Sequence, residues 1–255
     1  MIQLPANTPQ RVALYSDIHC DTHDPRAINL ACKIFRDFKP TIAINMGDMV
    51  NMDAISRFTG DPKKTIRIQA ELDAAFEVQQ QINQATGKAR RLFIKGNHED
   101  RLDRALKAKI PGLVHLEILK LNTVLRLDEL GMEYVEDDVM LGSVRCIHGW
   151  AARKWSGTSP RYALEAIGYT HSIVQGHSHR QSIISKATYP NGTVFGCEVG
   201  YLGDYKKMDY LSAPPDWQRG IALLEWKDGK PAFEIIPFFG NVKLTALWRG
   251  KLYRA

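Results

Sequence analysis

Aspartate, asparagine and histidine recur in this chain at one kind of place, directly after a short apolar run. RVALYS (11–16) leads into Asp17-Ile18-His19, and TIAINM (41–46) into Gly47-Asp48. RLFIK (91–95) leads into Gly96-Asn97-His98-Glu99, and SVRCI (143–147) into His148-Gly149. HSIV (171–174) and Gln175 lead into Gly176-His177-Ser178-His179. Carboxylate oxygens, an amide oxygen and neutral imidazoles form a donor set suited to Mn, Fe or Zn. In extended backbone, residues i and i+2 point to one side, so Asp17 and His19 are expected to grip one ion together. Glycines before Asp48, Asn97 and His177 let the chain turn sharply and approach closely. Of the eight histidines, only His23, His115 and His171 lie outside the pattern. A lone histidine at a strand end is ordinarily a loop residue or a satisfied core imidazole. Five such ends in one chain point instead to a shared site.

The elements that must position these residues follow from the apolar pattern. The runs are short and rich in strand formers. Asp24-Pro25 reads as an N-cap and first helical residue, opening a helix through INLACKIFRDF that Pro40 stops. A longer helix fits residues 64–85, closed by Gly87. This β-α-β-α-β opening predicts a parallel sheet, in which ligands bind at the carboxyl ends of the strands. Residues 99–130 read as two helices broken at Pro111-Gly112, their leucines in the core. Ser159-Pro160 begins a further helix. The rest alternates strands and turns: QSIISKAT, GTVFGCEV, RGIALLEW and PAFEIIPF, with turns at Pro190-Asn191-Gly192 and Lys227-Asp228-Gly229. No linker or repeat divides the 255 residues, so a single domain over 1–255 is expected.

Composition narrows the class. The 44% hydrophobic content supports a sizeable core, and the 24% charged fraction is that of an ordinary soluble protein. The formal charge of +6 favours anionic partners such as phosphate esters or nucleic acid, and serves solubility equally well. Cys20, Cys32, Cys146 and Cys197 form no CxxC pair and no disulfide framework. The first ten residues, MIQLPANTPQ, lack the basic and apolar regions of a signal peptide, and no run is long enough to span a membrane. A reduced, cytoplasmic protein without membrane attachment is expected.

The ordered set Asp17/His19, Gly47-Asp48, Gly96-Asn97-His98-Glu99, His148-Gly149 and Gly176-His177-Ser178-His179 resembles the calcineurin-like metallophosphoesterases. The motifs cover about residues 12–180, and the strand-rich remainder is consistent with that family's second sheet. The resemblance implies an α/β fold, a four-layer αββα sandwich with two central mixed β-sheets. It implies two divalent metal ions, Mn, Fe or Zn with Mn favoured. Asp17, His19, Asp48 and His179 would hold one ion, and Asp48, Asn97, His148 and His177 the other. His98 would touch the phosphate and serve as general acid, while a metal-bridging hydroxide attacks phosphorus.

The substrate is less determined. The Ser/Thr protein phosphatase branch carries GDxxDRG after the second strand, whereas this chain reads GDMVNMDAISRF. Asn51 occupies the aspartate position and Met52 that of the phosphate-binding arginine, which argues against that branch. Asp53 is a candidate partner of His98, or simply a turn residue. Trp150-Ala151-Ala152-Arg153-Lys154-Trp155 follows His148, and its Arg153 and Lys154 are candidate substrate contacts. The alternative there is a solvated loop with two partly buried tryptophans. Arg101 is a third candidate contact; with Arg104 it faces the site or pairs with Glu99, Asp100 or Asp103. His23 reads as a loop residue. The basic tail TALWRGKLYRA reads as a terminal strand with a frayed end, or a nucleic-acid contact. The leading expectation is a phosphodiesterase on nucleotides or nucleic acid. The alternatives are a phosphomonoesterase on a small metabolite or nucleotide, and a non-catalytic binding scaffold.

Overall fold

In the computed structural model of this chain, residues 1–56, 68–189, 191–207 and 215–255 are described. The strands are β1 Ile2–Leu4, β2 Gln10–Tyr15, β3 Ile42–Asn45, β4 Arg90–Ile94, β5 Glu133–Val135, β6 Asp138–Leu141 and β7 Val144–Ile147. They continue as β8 Ser172–Gln175, β9 Gln181–Thr188, β10 Gly192–Val199, β11 Gly220–Lys227, β12 Lys230–Pro237, β13 Thr245–Trp248 and β14 Lys251–Arg254. The helices are α1 Pro25–Phe38, α2 Ile68–Thr86, α3 Asp100–Lys109, α4 Leu121–Val124 and α5 Thr158–Ala166.

One sheet runs β12-β11-β2-β3-β4-β5 and the other β1-β6-β7-β8-β10-β9. β2, β3, β4 and β5 are mutually parallel, as the β-α-β-α-β reading requires. β11 joins β2 antiparallel, and β12 follows across the two-residue turn at Asp228-Gly229. Both turn residues have positive φ, the geometry that matches strand twist in a hairpin. In the second sheet β7, β8 and β10 are parallel, β6 is antiparallel to β7 and parallel to β1, and β9 is antiparallel to β10.

Strand alternation separates the layers. Val12 and Leu14 of β2 face the second sheet, in an apolar cluster with Ile42, Ile44, Leu92, Val139, Val144, Val174 and Val199. Ala13 and Tyr15 face the other way, onto Ile28, Phe35, Val78 and Ile82 of α1 and α2. Ile147, Ile173 and Val194, on the far face of the second sheet, pack on Ala163 and Leu164 of α5. The chain is therefore the expected four-layer αββα sandwich with two central mixed sheets.

Local chemistry accounts for the first helix. The Asp24 side chain accepts from Arg26 N at 3.0 Å, Pro25 fills the first turn, and Lys39 caps the end with φ of 51°. Elsewhere the sequence reading holds in part. Residues 99–130 form two helices broken at Pro111-Gly112, the ten-residue α3 and the single turn α4, with short turns between them. Leu106, Leu121, Leu125, Leu127 and Leu130 are buried, but Leu113, Leu116 and Ile118 are exposed. The tail is not frayed: β13 and β14 pair, and Trp248 and Tyr253 are buried against α1. The short strands β1, β5 and β6 carry no periodicity long enough to read. Residues 64–67 of the expected second helix, and Pro190 of the expected turn, lie outside the described residues.

Candidate metal centre

The loops after β2, β3, β4, β7 and β8 meet at one edge of the sandwich. They are stitched to one another by backbone bonds: Asp17 N to Gly47 O (3.0 Å), His19 N to Asp48 O (3.1 Å) and Gly176 N to His148 O (2.9 Å). Two glycines are fixed by close approach. A Cβ on Gly96 would strike the Asp48 and Glu99 carboxylates, and one on Gly176 would strike Ser16 and Asp17. The extended geometry expected for Asp17 and His19 is not what the chain adopts. Asp17, His19, Asp48, His177 and His179 all have φ between 51° and 64°. Left-handed backbone at five non-glycine residues is strain of the kind that a site, rather than a core, retains.

The two buried aspartates are used alike. Asp17 Oδ2 accepts from His177 N at 2.9 Å, leaving Oδ1 3.2 Å from His179 Nε2 and 3.9 Å from His19 Nε2. Asp48 Oδ1 accepts from His98 N at 2.9 Å, leaving Oδ2 3.3 Å from His148 Nε2 and 3.9 Å from His98 Nε2. In each, one oxygen holds a neighbouring loop and the other faces imidazoles. The imidazoles are oriented as well. The second ring nitrogen fixes which nitrogen keeps its lone pair. His148 Nδ1 lies 2.8 Å from Met46 O, which makes it the N–H and turns Nε2 toward Asn97 Oδ1 at 3.0 Å. His19 Nδ1 lies 2.8 Å from Asn51 Oδ1, so Nε2 faces His179 Nε2 at 3.0 Å.

The result is a pair of clusters that could hold cations. Asp17, His19 and His179 converge in one, and Asp48, His148 and His177 in the other, with His19, Asp48 and His98 between them. Asp17 Oδ1 is buried with no hydrogen-bond donor, an arrangement that a cation would satisfy. The donors present, carboxylate and imidazole with an amide oxygen at Asn97, fit a hard-to-borderline divalent ion. Charges within the clusters are strongly coupled. Burial alone would raise the Asp17 and Asp48 carboxyls, but His179 beside the first and His148 beside the second hold both below the usual range. Burial, with His98 and His179 nearby, pushes His19 down to about 3. Burial also works to lower His148, but the Asp48 carboxylate prevails and lifts it to about 10.

His98 sits beside the centre with Nδ1 3.1 Å from Asn51 O. Asp53 is not its partner; Asp53 pairs instead with Arg101. The Arg101 guanidinium also donates to Asn51 O at 2.7 Å and stands 3.4 Å from His98 Nε2. Burial first, then Arg101, lowers the His98 pKa. Arg104 pairs with Asp100 at 3.0 Å and donates to the backbone carbonyl of Asn97 at 2.8 Å. Arg153 and Lys154 stand outside the clusters. The Arg153 guanidinium lies over the Tyr162 ring at 4.3 Å, and Lys154 over Trp155 at 5.4 Å. Trp150 and Trp155 are not partly buried but 51% and 67% exposed.

Three supporting residues escaped the sequence reading. Glu99 is 1% exposed and accepts four amides: Gly96 and Asp48 on Oε2, Met49 and Val50 on Oε1. Its place in GNHE was the available signal. Asn51 orients His19 through its side chain and His98 through its carbonyl. Trp217 meets the His179 ring edge-on at 4.1 Å and carried no signal at all.

No protein-family model matches the chain. The gene 54 protein of Mycobacterium phage L5 is 22% identical over 259 residues, covering 91% of this chain and 95% of that protein. Vacuolar protein sorting 29 from Cryptosporidium parvum is similar in structure at 11% identity and a TM-score of 0.45, covering 97% of this chain and 96% of that one. YfcE, a phosphoesterase from E. coli, is similar at 14% identity and a TM-score of 0.40, covering 88% of this chain and 98% of that one.

Proposed function

We propose that this chain is a calcineurin-like metallophosphoesterase, outside the Ser/Thr protein phosphatase branch. Its substrates are phosphodiesters of nucleotides or nucleic acid, and it works with two divalent ions, Mn favoured. The observation that supports this most is the pair of His/Asp clusters, built from four strand ends, with a third group, His19, Asp48 and His98, sharing a residue with each and adding the fifth. Asp17, His19, Asp48 and His179 would hold one ion, and Asp48, Asn97, His148 and His177 the second. Bound there, such ions lower the pKa of a coordinated water and hold phosphoryl oxygens.

The chain's own groups supply the rest. With Nδ1–H on Asn51 O, His98 presents Nε2, 3.9 Å from Asp48 Oδ2, as the atom to pass a proton to the departing oxygen. Arg101 reaches the same atom, so its guanidinium is placed for a phosphoryl oxygen. A phosphoryl anion beside Nε2 favours imidazolium, offsetting the burial and the Arg101 charge that lower His98. Met52 is 1% exposed, packed in the core where the phosphatase branch would place an arginine. No helix among the described residues is long and apolar enough to cross a membrane. The four cysteines are buried and free, which suits a reducing cytoplasm.

The test is initial rates of metal-free protein reloaded with Mn²⁺, on a phosphodiester and a phosphomonoester with one leaving group. A diester preference supports the reading. A monoester preference replaces it with a phosphomonoesterase, and turnover of neither contradicts it.

A further inference from the structure

Beside the second cluster lies a cleft of about 410 Å³, bounded by Asn97 and His148 on one side and Trp150 at its mouth. That volume lies within the range of small-molecule sites. Apart from Ile147 and two glycines its remaining walls are charged, and the balance is unlike that of the whole chain. Asp100, Glu136, Asp137 and Asp138 face only Lys95 and Arg145. Lys95 is tied to Asp100 and Glu136, and Arg145 to Asp138, so both cations are already neutralised. A second phosphate entering here would meet surplus negative charge, despite the chain's net charge of +6.

What the cleft offers is hydrogen-bond acceptors and one aromatic face. Asp138 is 1% exposed, and its Oδ1 has no donor. A buried carboxylate oxygen without a donor is costly, and it marks a place where a ligand N–H or O–H is favoured. Trp150 is 51% exposed, so one face of the indole is free to stack on a planar ring. An uncharged group bearing both a planar ring and several donors is a nucleoside: the base supplies the ring and amino groups, and the sugar supplies hydroxyls.

We infer that this cleft binds the nucleoside portion of the substrate, with Trp150 stacked on the base and the Asp137 and Asp138 carboxylates accepting from its donors. This rests on the phosphodiesterase reading above, which it narrows. The cleft takes one neutral nucleoside rather than the continuing charged backbone of a polymer.

Two assays test it on the Mn²⁺-loaded chain. The first compares kcat/KM for thymidine 5′-(p-nitrophenyl phosphate) with that for methyl p-nitrophenyl phosphate, which share charge and leaving group. The nucleoside ester should be favoured about tenfold or more, and Trp150→Ala should remove about tenfold of that ratio. Hydrolysis of both esters at similar kcat/KM overturns the inference and leaves the phosphodiesterase reading standing. The second is calorimetric titration with adenosine, which needs no turnover. Saturable binding that Trp150→Ala or Asp137→Lys weakens about tenfold supports the cleft. Absence of binding, or binding indifferent to both substitutions, overturns it, even if neither ester is hydrolysed.

Discussion

Glu99 holds the amide of Asp48. Its Oε2 accepts from Asp48 N at 2.9 Å and from Gly96 N at 2.8 Å, while Oε1 takes Met49 N and Val50 N. One buried carboxylate thereby locks the loop that carries Asp48 to the loop that carries Asn97 and His98. Glu99→Gln replaces one oxygen by an N–H₂ that cannot accept, and strands amides in a dry site. Denaturant unfolding should show a loss of about 2–4 kcal/mol. Unchanged stability would mean that the carboxylate is dispensable.

His98 lies close enough to His19 and Asp48 to belong to a cluster of its own, so its role needs a direct test. His98→Ala should keep metal content near that of the parent while turnover falls on the order of 10²–10⁴-fold. Elemental analysis showing the site emptied would make His98 a ligand instead.

Arg101 stands 3.4 Å from His98 Nε2 and lowers its pKa. Arg101→Ala should reduce kcat/KM about 10–100-fold, as expected for a lost charge-assisted contact. Removing a cation beside an imidazole favours its protonated form, so the His98 limb of the pH–rate profile should also move upward. A fall in rate with an unmoved profile would indicate a structural role only.

The chain's stability should carry a pH signature from Glu71. This side chain is 3% exposed and accepts Asn51 N and, at 2.7 Å, Met52 N. Burial lifts its pKa from 4.5 to about 7. A folded pKa above the unfolded one means that the native state binds the proton more tightly. Stability is then full below pH 4.5 and is lost as pH rises toward 7. Glu71→Gln keeps an acceptor for both amides and removes the titration. Between pH 4.5 and 7 the parent should lose about 3 kcal/mol relative to the variant. Parallel stability curves would refute this.

The candidate centre was legible because each of its residues directly follows an apolar strand, where local sequence states both the element and the side chain. The parallel order of β2, β3 and β4 was legible for the same reason. What escaped depends on distant partners. β1 is three residues long and exists by pairing with β6, more than a hundred residues away. Glu99 and Asn51 look like turn residues until the loops close around them. The left-handed backbone of Asp17 and His19 is imposed by the bonds to Gly47 and Asp48, which no local pattern encodes. The exposed Leu113, Leu116 and Ile118 show the reverse failure, helical spacing without a helix.

The most direct test is metal stoichiometry measured together with turnover. Chain stripped of metal and reloaded with Mn²⁺ should bind two equivalents and hydrolyse a p-nitrophenyl phosphodiester. Asp48→Asn, which weakens the carboxylate grouped with His148 and His177 on one side and with His19 and His98 on the other, should lower stoichiometry and cut turnover by at least about 10²-fold. Fewer than two equivalents in the parent, or two equivalents with no hydrolysis, would contradict the account.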